Sequence, residues 1–496
     1  MTSAPLFIRT LANRAATAIM LGCGLISIWF LPRRLGVAAY GEYSTLIVLS
    51  SCIRFPVQTV LQSAIIPGIA GSTDPDKFAS SILRLTAAAG AALTIVALSL
   101  QTEVSSILKI NTPAMWYAVS CDIALNLTAA AYLSILLGKG HFSTAAAILA
   151  THWILRTGSS VIFVQSGMGS AGAMLALPVA SSIQLFLCAA ADKLSALRSP
   201  GVTWAEIRQR LHKSSANLQL ERVIYSSDLV AMKFLGADSQ VVGFYAVGSS
   251  LGLAFQAITG AANQVQVQLL VQSRKSGDIT RFTALTRSAV LDTCSFIGLA
   301  ILALPFLPDL LQVVLGSVYS QIHPVCLPIL LTASLRTLFS CGRTFLAATE
   351  SRTRIHVALL LVQITCFAGF CLTLLPGDAP EATGQIRALA QAELCAWIIL
   401  AGALPISICC LRLGLAHSKQ AFPWKPAGII AVLATMAALT GWLSPFNGIK
   451  NLIFLGCLAS CYAAGTVAAR CLTKRYRTVC TNNGAETPDP ASQTDR

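Results

Sequence analysis

Residues 113–138 read PAMWYAVSCDIALNLTAAAYLSILLG, and two further stretches follow almost at once: STAAAILATHWILRTGSSVIFVQS at 143–166 and GSAGAMLALPVASSIQLFLCAAA at 169–191. Each exceeds the about 20 mostly apolar residues that carry a helix across a bilayer. Pro113 opens the first stretch, at a position where a helix has no use for the missing N–H. With only a few residues between them, these stretches leave no room for a soluble domain. They predict consecutive membrane-spanning helices.

The same pattern extends in both directions. Upstream it gives 8–31, 40–69 and 79–101. Downstream it gives 214–235, 240–271, 280–304, 322–347, 355–376, 386–411, 426–444 and 450–470. The expected fold is therefore an all-α polytopic membrane protein of about fourteen transmembrane helices. Composition agrees. Of 496 residues, 55% are apolar and 11% charged, and the mean hydropathy is +0.69. A soluble domain carries about 25% charged residues. The first apolar stretch follows Arg9 and Arg14 and leads directly into another, so it reads as a retained helix rather than a cleaved signal. The segment 214–235 is the least uniform, because it holds Glu221, Arg222, Asp228 and Lys233. Such a helix must turn its polar face to protein or water.

The net charge of +15 sits in short loops rather than in one patch. That distribution points to membrane topology and excludes nucleic acid as a partner. With the N-terminus placed in the cytoplasm, twenty-four Lys and Arg fall inside against six outside, and five lie within spans. This bias sets both termini in the cytoplasm of a multi-pass protein of a bacterial inner membrane. The 16 cysteines lie mostly in apolar runs with no CxxC spacing, so neither disulfides nor a metal site are expected. No P-loop, nucleophile elbow or dinucleotide motif is present, and no cofactor or enzyme chemistry is expected.

Two passages are alike: Leu35-Gly36-x4-Gly41-x-Tyr43 and Leu235-Gly236-x6-Gly243-x-Tyr245. Each enters a long helix followed by a charged inside loop that ends at Phe78 or Phe282. The organisation that follows is two parallel six-helix repeats plus two C-terminal helices. Residues 1–191 form the first half and 192–213 a central cytoplasmic loop. Residues 214–411 form the second half, 426–470 the two extra helices, and 478–496 a polar, disordered tail. An even number of helices per half gives both halves one orientation, an arrangement used by transporters.

LPRRLGVAAYGEY at 31–43 and SDLVAMKFLGADSQVVGFYAVGSSL at 227–251 resemble the Wzx-type polysaccharide flippases of the multidrug/oligosaccharidyl-lipid/polysaccharide exporter superfamily. The likeness covers nearly the whole chain in helix count, halves and loop lengths, through diffuse motifs. It implies movement of an undecaprenyl-pyrophosphate-linked oligosaccharide, an O-antigen or exopolysaccharide repeat unit, from the inner to the outer leaflet. A polysaccharide polymerase and a chain-length regulator would be its partners beside membrane lipids. The relative that flips the peptidoglycan precursor usually carries an Arg-Asp pair after the first helix. Arg33-Arg34 stands there instead.

Charged side chains at mid-bilayer depth are costly in lipid and so turn inward. Arg54, Gln58 and Gln62 recur on one face of the second helix, beside Pro56. Arg54 either bonds carbonyls freed by Pro56 or lines a cavity. His152 and Arg156 share a face of the fifth helix, and Asp122 and Asn126 share one of the fourth, so an Asp122–Arg156 pair is conceivable. Arg222 lies in the seventh helix, and Arg336 and Arg343 in the tenth. Gln256 and Asn263 are amides of the eighth, suited to sugar hydroxyls. An interior with more Arg than acid suits pyrophosphate, which Arg grips with paired donors. The substrate-binding candidates are therefore Arg54, Gln58, Arg156, Arg222, Arg336, Arg343, Gln256 and Asn263. Asp122, Glu221 and Asp228 are the candidates for coupling to an ion. A multidrug antiporter of the same superfamily would favour an acid-rich cavity, and a membrane polysaccharide polymerase would need a large outer loop.

Overall fold

The computed structural model describes residues 4–201 except 71, 73 and 111, residues 228–275 except 235, most of 307–348, and scattered positions between 278 and 286 and between 392 and 407. Among the described residues all regular structure is helical. The order is α1 Ala4–Leu35, α2 Val37–Ala70, α3 Pro75–Ser99, α4 Gln101–Leu108, α5 Pro113–Gly138, α6 Phe142–Phe163, α7 Gly169–Ala191 and the single turn α8 Ser195–Arg198. After residues outside the description come α9 Asp228–Phe234, α10 Ser239–Lys275, α11 Leu307–Leu315 and α12 His323–Ala348. The expected spans at 280–304, 355–376, 386–411, 426–444 and 450–470, and the tail 478–496, lie almost wholly outside the described residues.

Four described helical stretches are long and apolar enough to cross a membrane: Ala15–Leu35, Pro75–Ser99, Pro113–Gly138 and the continuous run Phe142–Ala191. The chain is a multi-pass membrane protein. The last run covers two expected spans because α6 passes into α7 through a π-helical turn, Val164–Met168, with Gly167 and Gly169 at positive φ. Large apolar side chains stand on the bundle exterior, among them Ile95, Ile162 and Phe186. In a bilayer such surface faces lipid and needs no partner.

Local chemistry sets the helix ends. Asp74 caps α3 by accepting from the Lys77 N–H at 3.2 Å, and Pro75 occupies the first turn. The side-chain hydrogen bond from Lys77 holds the Asp74 carboxyl below its usual pKa. Gly36, at φ +79°, separates α1 from α2, and Gly236, at φ +89°, precedes α10. The two passages read as a repeat thus share a left-handed glycine ahead of a helix of more than thirty residues.

Two compact units are distinguished. Met1–Ala261, Ala300–Ala333 and Arg352–Ile399 form one, and Ala262–Leu299, Ser334–Ser351 and Leu400–Arg496 the other. In the first, α5 packs on α2, α3 and α7, and α6 packs on α1 and α7. Small residues bring the helices close, as is usual where lipid removes any hydrophobic drive between them. A Cβ on Gly90 would stand 2.9 Å from the Ala124 Cα, and one on Gly138 would stand 2.7 Å from the Ile69 Cβ. Gly41 of α2 and Gly243 of α10 meet backbone to backbone. A Cβ on Gly41 would lie 2.8 Å from the Gly243 nitrogen, and one on Gly243 would collide with the Val37 carbonyl. Around that contact the Tyr40 and Ser250 hydroxyls bond at 3.1 Å, and Lys233 of α9, buried, donates to Ser239 at 2.6 Å. In the second unit, Ser273 and Thr286 are buried and return their hydroxyls to the carbonyls of Leu270 and Phe282.

At the opposite ends of α3, α5 and α7, Lys139 pairs with both Asp76 and Asp192 and donates to Ser195 at 3.0 Å. Tyr132 donates to Asp192 at 3.1 Å, and Ser195 to Asp76 at 3.1 Å. Burial alone would lower the Lys139 pKa, but its bonds to Asp192 and Asp76 outweigh that and leave it above the usual lysine value.

Candidate functional site

The polar residues of the first unit converge between α2, α5, α6 and α7. Arg54 of α2 donates from Nη1 to Asp122 Oδ2 of α5 at 2.9 Å, and both side chains are buried. Ser181 of α7 donates to the other carboxylate oxygen at 2.6 Å, and Asn126, one turn along α5, donates to Ser181 at 3.3 Å. Asp122 therefore spans three helices through its two oxygens. The pairing differs from the Asp122–Arg156 pair that helix spacing left open. Arg54 takes the acid, and Arg156 instead lies 5.0 Å over the Trp153 ring and bonds Tyr43 of α2.

Burial makes the bookkeeping of charge strict. Removing either partner of a buried ion pair strands the other and costs roughly 3–5 kcal/mol. Arg54, Asp122 and Arg156 together leave one positive charge, and among the described residues no carboxylate pairs with Arg156. The cluster also holds unspent hydrogen-bonding capacity. Arg54 Nε, Ser50 Oγ one turn before it, and His152 Nδ1 are buried without a partner among the described residues. Native structures leave few such atoms, and each calls for an explanation, a bound water, ion or ligand among them. His152 is near Arg54, Asp122 and Arg156, and its other ring nitrogen bonds the Ala180 backbone of α7. Pro178 leaves its place in the α7 ladder open nearby.

The remaining candidates divide. Gln58 lies partly buried one turn beyond Arg54 on α2, and Gln256 lies partly buried on α10. Asp228 begins α9, where it accepts from the Tyr245 hydroxyl at 2.7 Å and from the Leu229 N–H at 2.9 Å. It lies close to Cys52 of α2, two residues before Arg54 on the chain. The two tyrosines of the repeated passages thus each touch an intramembrane charge, Tyr43 a guanidinium and Tyr245 a carboxylate. Arg336 lies partly buried on α12, in the second unit. The side chains of Asn263 on α10 and Arg343 on α12, like Glu221 and Arg222, fall outside the described residues. Sequence reasoning gave Tyr43 only as part of the repeated passage and missed Ser181 and Ser50. Serines are so common at small-residue helix interfaces that no local signal separates these from the rest.

No family model matches the chain, and no curated protein matches it. Its fold does match solved structures. One is an inward-facing multidrug resistance transporter of the MATE family and MOP superfamily, with a TM-score of 0.62 at 13% identity, over 83% of this chain and 98% of that one. A second is the lipid II flippase MurJ in an inward closed conformation, also with a TM-score of 0.62 at 13% identity, over 94% and 99%. A third is a MOP superfamily transporter from Pyrococcus furiosus with a binding pocket of reversed polarity, matched with a TM-score of 0.51 at 14% identity, over 82% and 95%. At these identities the likeness is one of fold.

Proposed function

We propose that the chain is a flippase that moves an undecaprenyl-pyrophosphate-linked oligosaccharide, an O-antigen or exopolysaccharide repeat unit, between the leaflets of a bacterial inner membrane. The observation that carries this reading is the cluster of buried Arg54 and His152 with half-buried Arg156, which among the described residues holds a single acid, Asp122, and has donors and acceptors left unused. Guanidiniums match phosphoryl oxygens in pairs. The polyprenyl tail stays in lipid while the head occupies the bundle. The likeness in fold to a lipid II flippase supports a lipid-linked cargo. Rocking of the two repeats about the site would carry the head across.

The finer architecture belongs to the same proposal. It comprises about fourteen spans, as two parallel six-helix repeats plus two C-terminal helices, both termini in the cytoplasm, and Arg222, Arg336 and Arg343 as further substrate-binding candidates. A polymerase and a chain-length regulator would take over the product. The test is glycan export per molecule of membrane-inserted protein. Cells carrying Arg156→Ala should insert the protein normally and export little glycan. Wild-type export per molecule from that variant would end this reading.

A second reading rests on Asp122. A multidrug antiporter would use that carboxylate for a cationic drug or its counter-ion, as the likeness in fold to MATE transporters allows. Drug resistance conferred by the chain, lost in Asp122→Asn and independent of glycan synthesis, would favour it.

A further inference from the structure

Building on the anion-site reading, we infer that His152 is the proton-binding residue of this site, taking up one proton at Nδ1 when the pyrophosphate head enters. His152 sits on α6 with 6% of its surface exposed. One ring nitrogen is committed to the Ala180 carbonyl, which fixes the neutral tautomer as the Nε2–H form. Nδ1 is then a buried lone pair with no donor to meet it. A proton there turns an orphaned acceptor into a donor.

Charge balance gives the proton a reason to arrive. The charged and titratable groups around the ring are Arg54 and Tyr43 from α2, Asp122 from α5 and Arg156 one turn along α6. From α7 comes the hydroxyl of Ser181. From α1 comes Cys23, whose carbonyl lies within reach of Thr157. Their formal sum with neutral His152 is one positive charge. A pyrophosphate esterified at both ends carries one negative charge on each phosphoryl group. The loaded site would keep one uncompensated negative charge in a medium where such charge is costly. One proton on His152 brings the sum to zero and supplies a third donor beside the two guanidiniums. Nothing is oxidised or reduced: the N–H bond at Nδ1 forms with a proton taken from the surrounding aqueous buffer, and the proton leaves when the head group leaves.

The experiment uses the full chain in lipid nanodiscs and farnesyl pyrophosphoryl-N-acetylglucosamine, a dianionic diester, as probe. Titration calorimetry in two buffers of different ionisation enthalpy counts protons taken up per probe bound. Wild type should take up about one proton near neutral pH, with affinity falling about tenfold per pH unit as pH rises. His152→Gln keeps an amide N–H for Ala180 but has no counterpart of Nδ1. It should bind more weakly, take up no proton and lose the pH slope. Wild type that binds the probe without proton uptake overturns the inference while leaving the anion site standing. So does a His152→Gln protein that takes up the same proton as wild type, which would move the proton to Asp122. Wild type that does not bind the probe at all removes the anion site, and the inference with it. The wild-type proton count needs no variant, so a His152→Gln protein that fails to fold does not remove the test.

Discussion

The Lys139 and Arg54 clusters use the same side-chain chemistry to opposite ends. At the ends of α3, α5 and α7, one lysine meets two aspartates and a serine, a tyrosine closes the second oxygen of Asp192, and the one net negative charge left over is shown to water by the partly exposed Asp76. In the middle of the bundle, one aspartate meets one of two arginines, and Arg54 Nε, Ser50 Oγ and His152 Nδ1 stay unused. The first group satisfies itself and ties three helices together. The second keeps one positive charge and open donors, which is what an anion requires. On the proposed function, the saturated network serves the fold and the unsaturated one in the same bundle receives the ligand.

The comparison breaks most sharply at its ion pair. Asp122→Ala strands a buried guanidinium and should lower stability by roughly 3–5 kcal/mol. The readout is the yield of monodisperse detergent-solubilised protein and its melting temperature. The double change Arg54→Met with Asp122→Leu should recover most of that yield, because no charge is left alone, yet export no glycan. If the double variant exports normally, the cluster is structural like its counterpart. Lys139→Met comes next. It leaves two aspartates facing one another and should cost about 1–3 kcal/mol of stability, while export per folded molecule stays at the wild-type level. A fall in export per molecule beyond the fall in folded protein would erase the distinction between the clusters.

Arg156 sharpens the contrast from the other side. Arg156→Ala should reduce export per molecule about tenfold or more, equivalent to about 1.4 kcal/mol, with little change in melting temperature. Arg156→Lys should recover part of it, since an ammonium keeps the charge and loses the planar fork. Equal loss in both variants would assign the effect to packing on Trp153. The smallest effect is expected at Asp74→Asn, where the new side chain caps α3 as well as the old. Export and melting temperature should both match wild type, and a measurable loss would give the exposed end of α3 a role beyond capping.

Much of this was legible in the sequence because it is local. The ends of α5 and α7 fall where Pro113, Lys139, Gly169 and Ala191 place them, since proline, glycine and the span length are read without knowing the partners. The polar face of α2 followed from spacing alone. The choice between Arg54 and Arg156 as partner of Asp122 did not, because it depends on how far α2 and α6 rotate against α5, and small-residue interfaces tolerate several rotations. Lys233 was expected on the polar face of 214–235, turned to protein or water, and its amine is buried against Ser239. A lysine's long stem lets its charge reach a partner far from its Cα, so position along the helix is a poor guide to where the amine ends up.

The meeting of Gly41 with Gly243 has a mechanical side. Where helices interlock through long side chains, every separation must unlock rotamers and every return must find them again. Here bare backbone rests on bare backbone, with neither glycine having a side chain to freeze or release. Such a joint behaves like a dry bearing: close-fitting, without teeth, and able to part and reseat with little memory of its last position. A single methyl at either glycine would act as grit, holding α2 and α10 at a distance neither was shaped for. In the rocking proposed above, an absent side chain would contribute the ease with which a tight contact lets go.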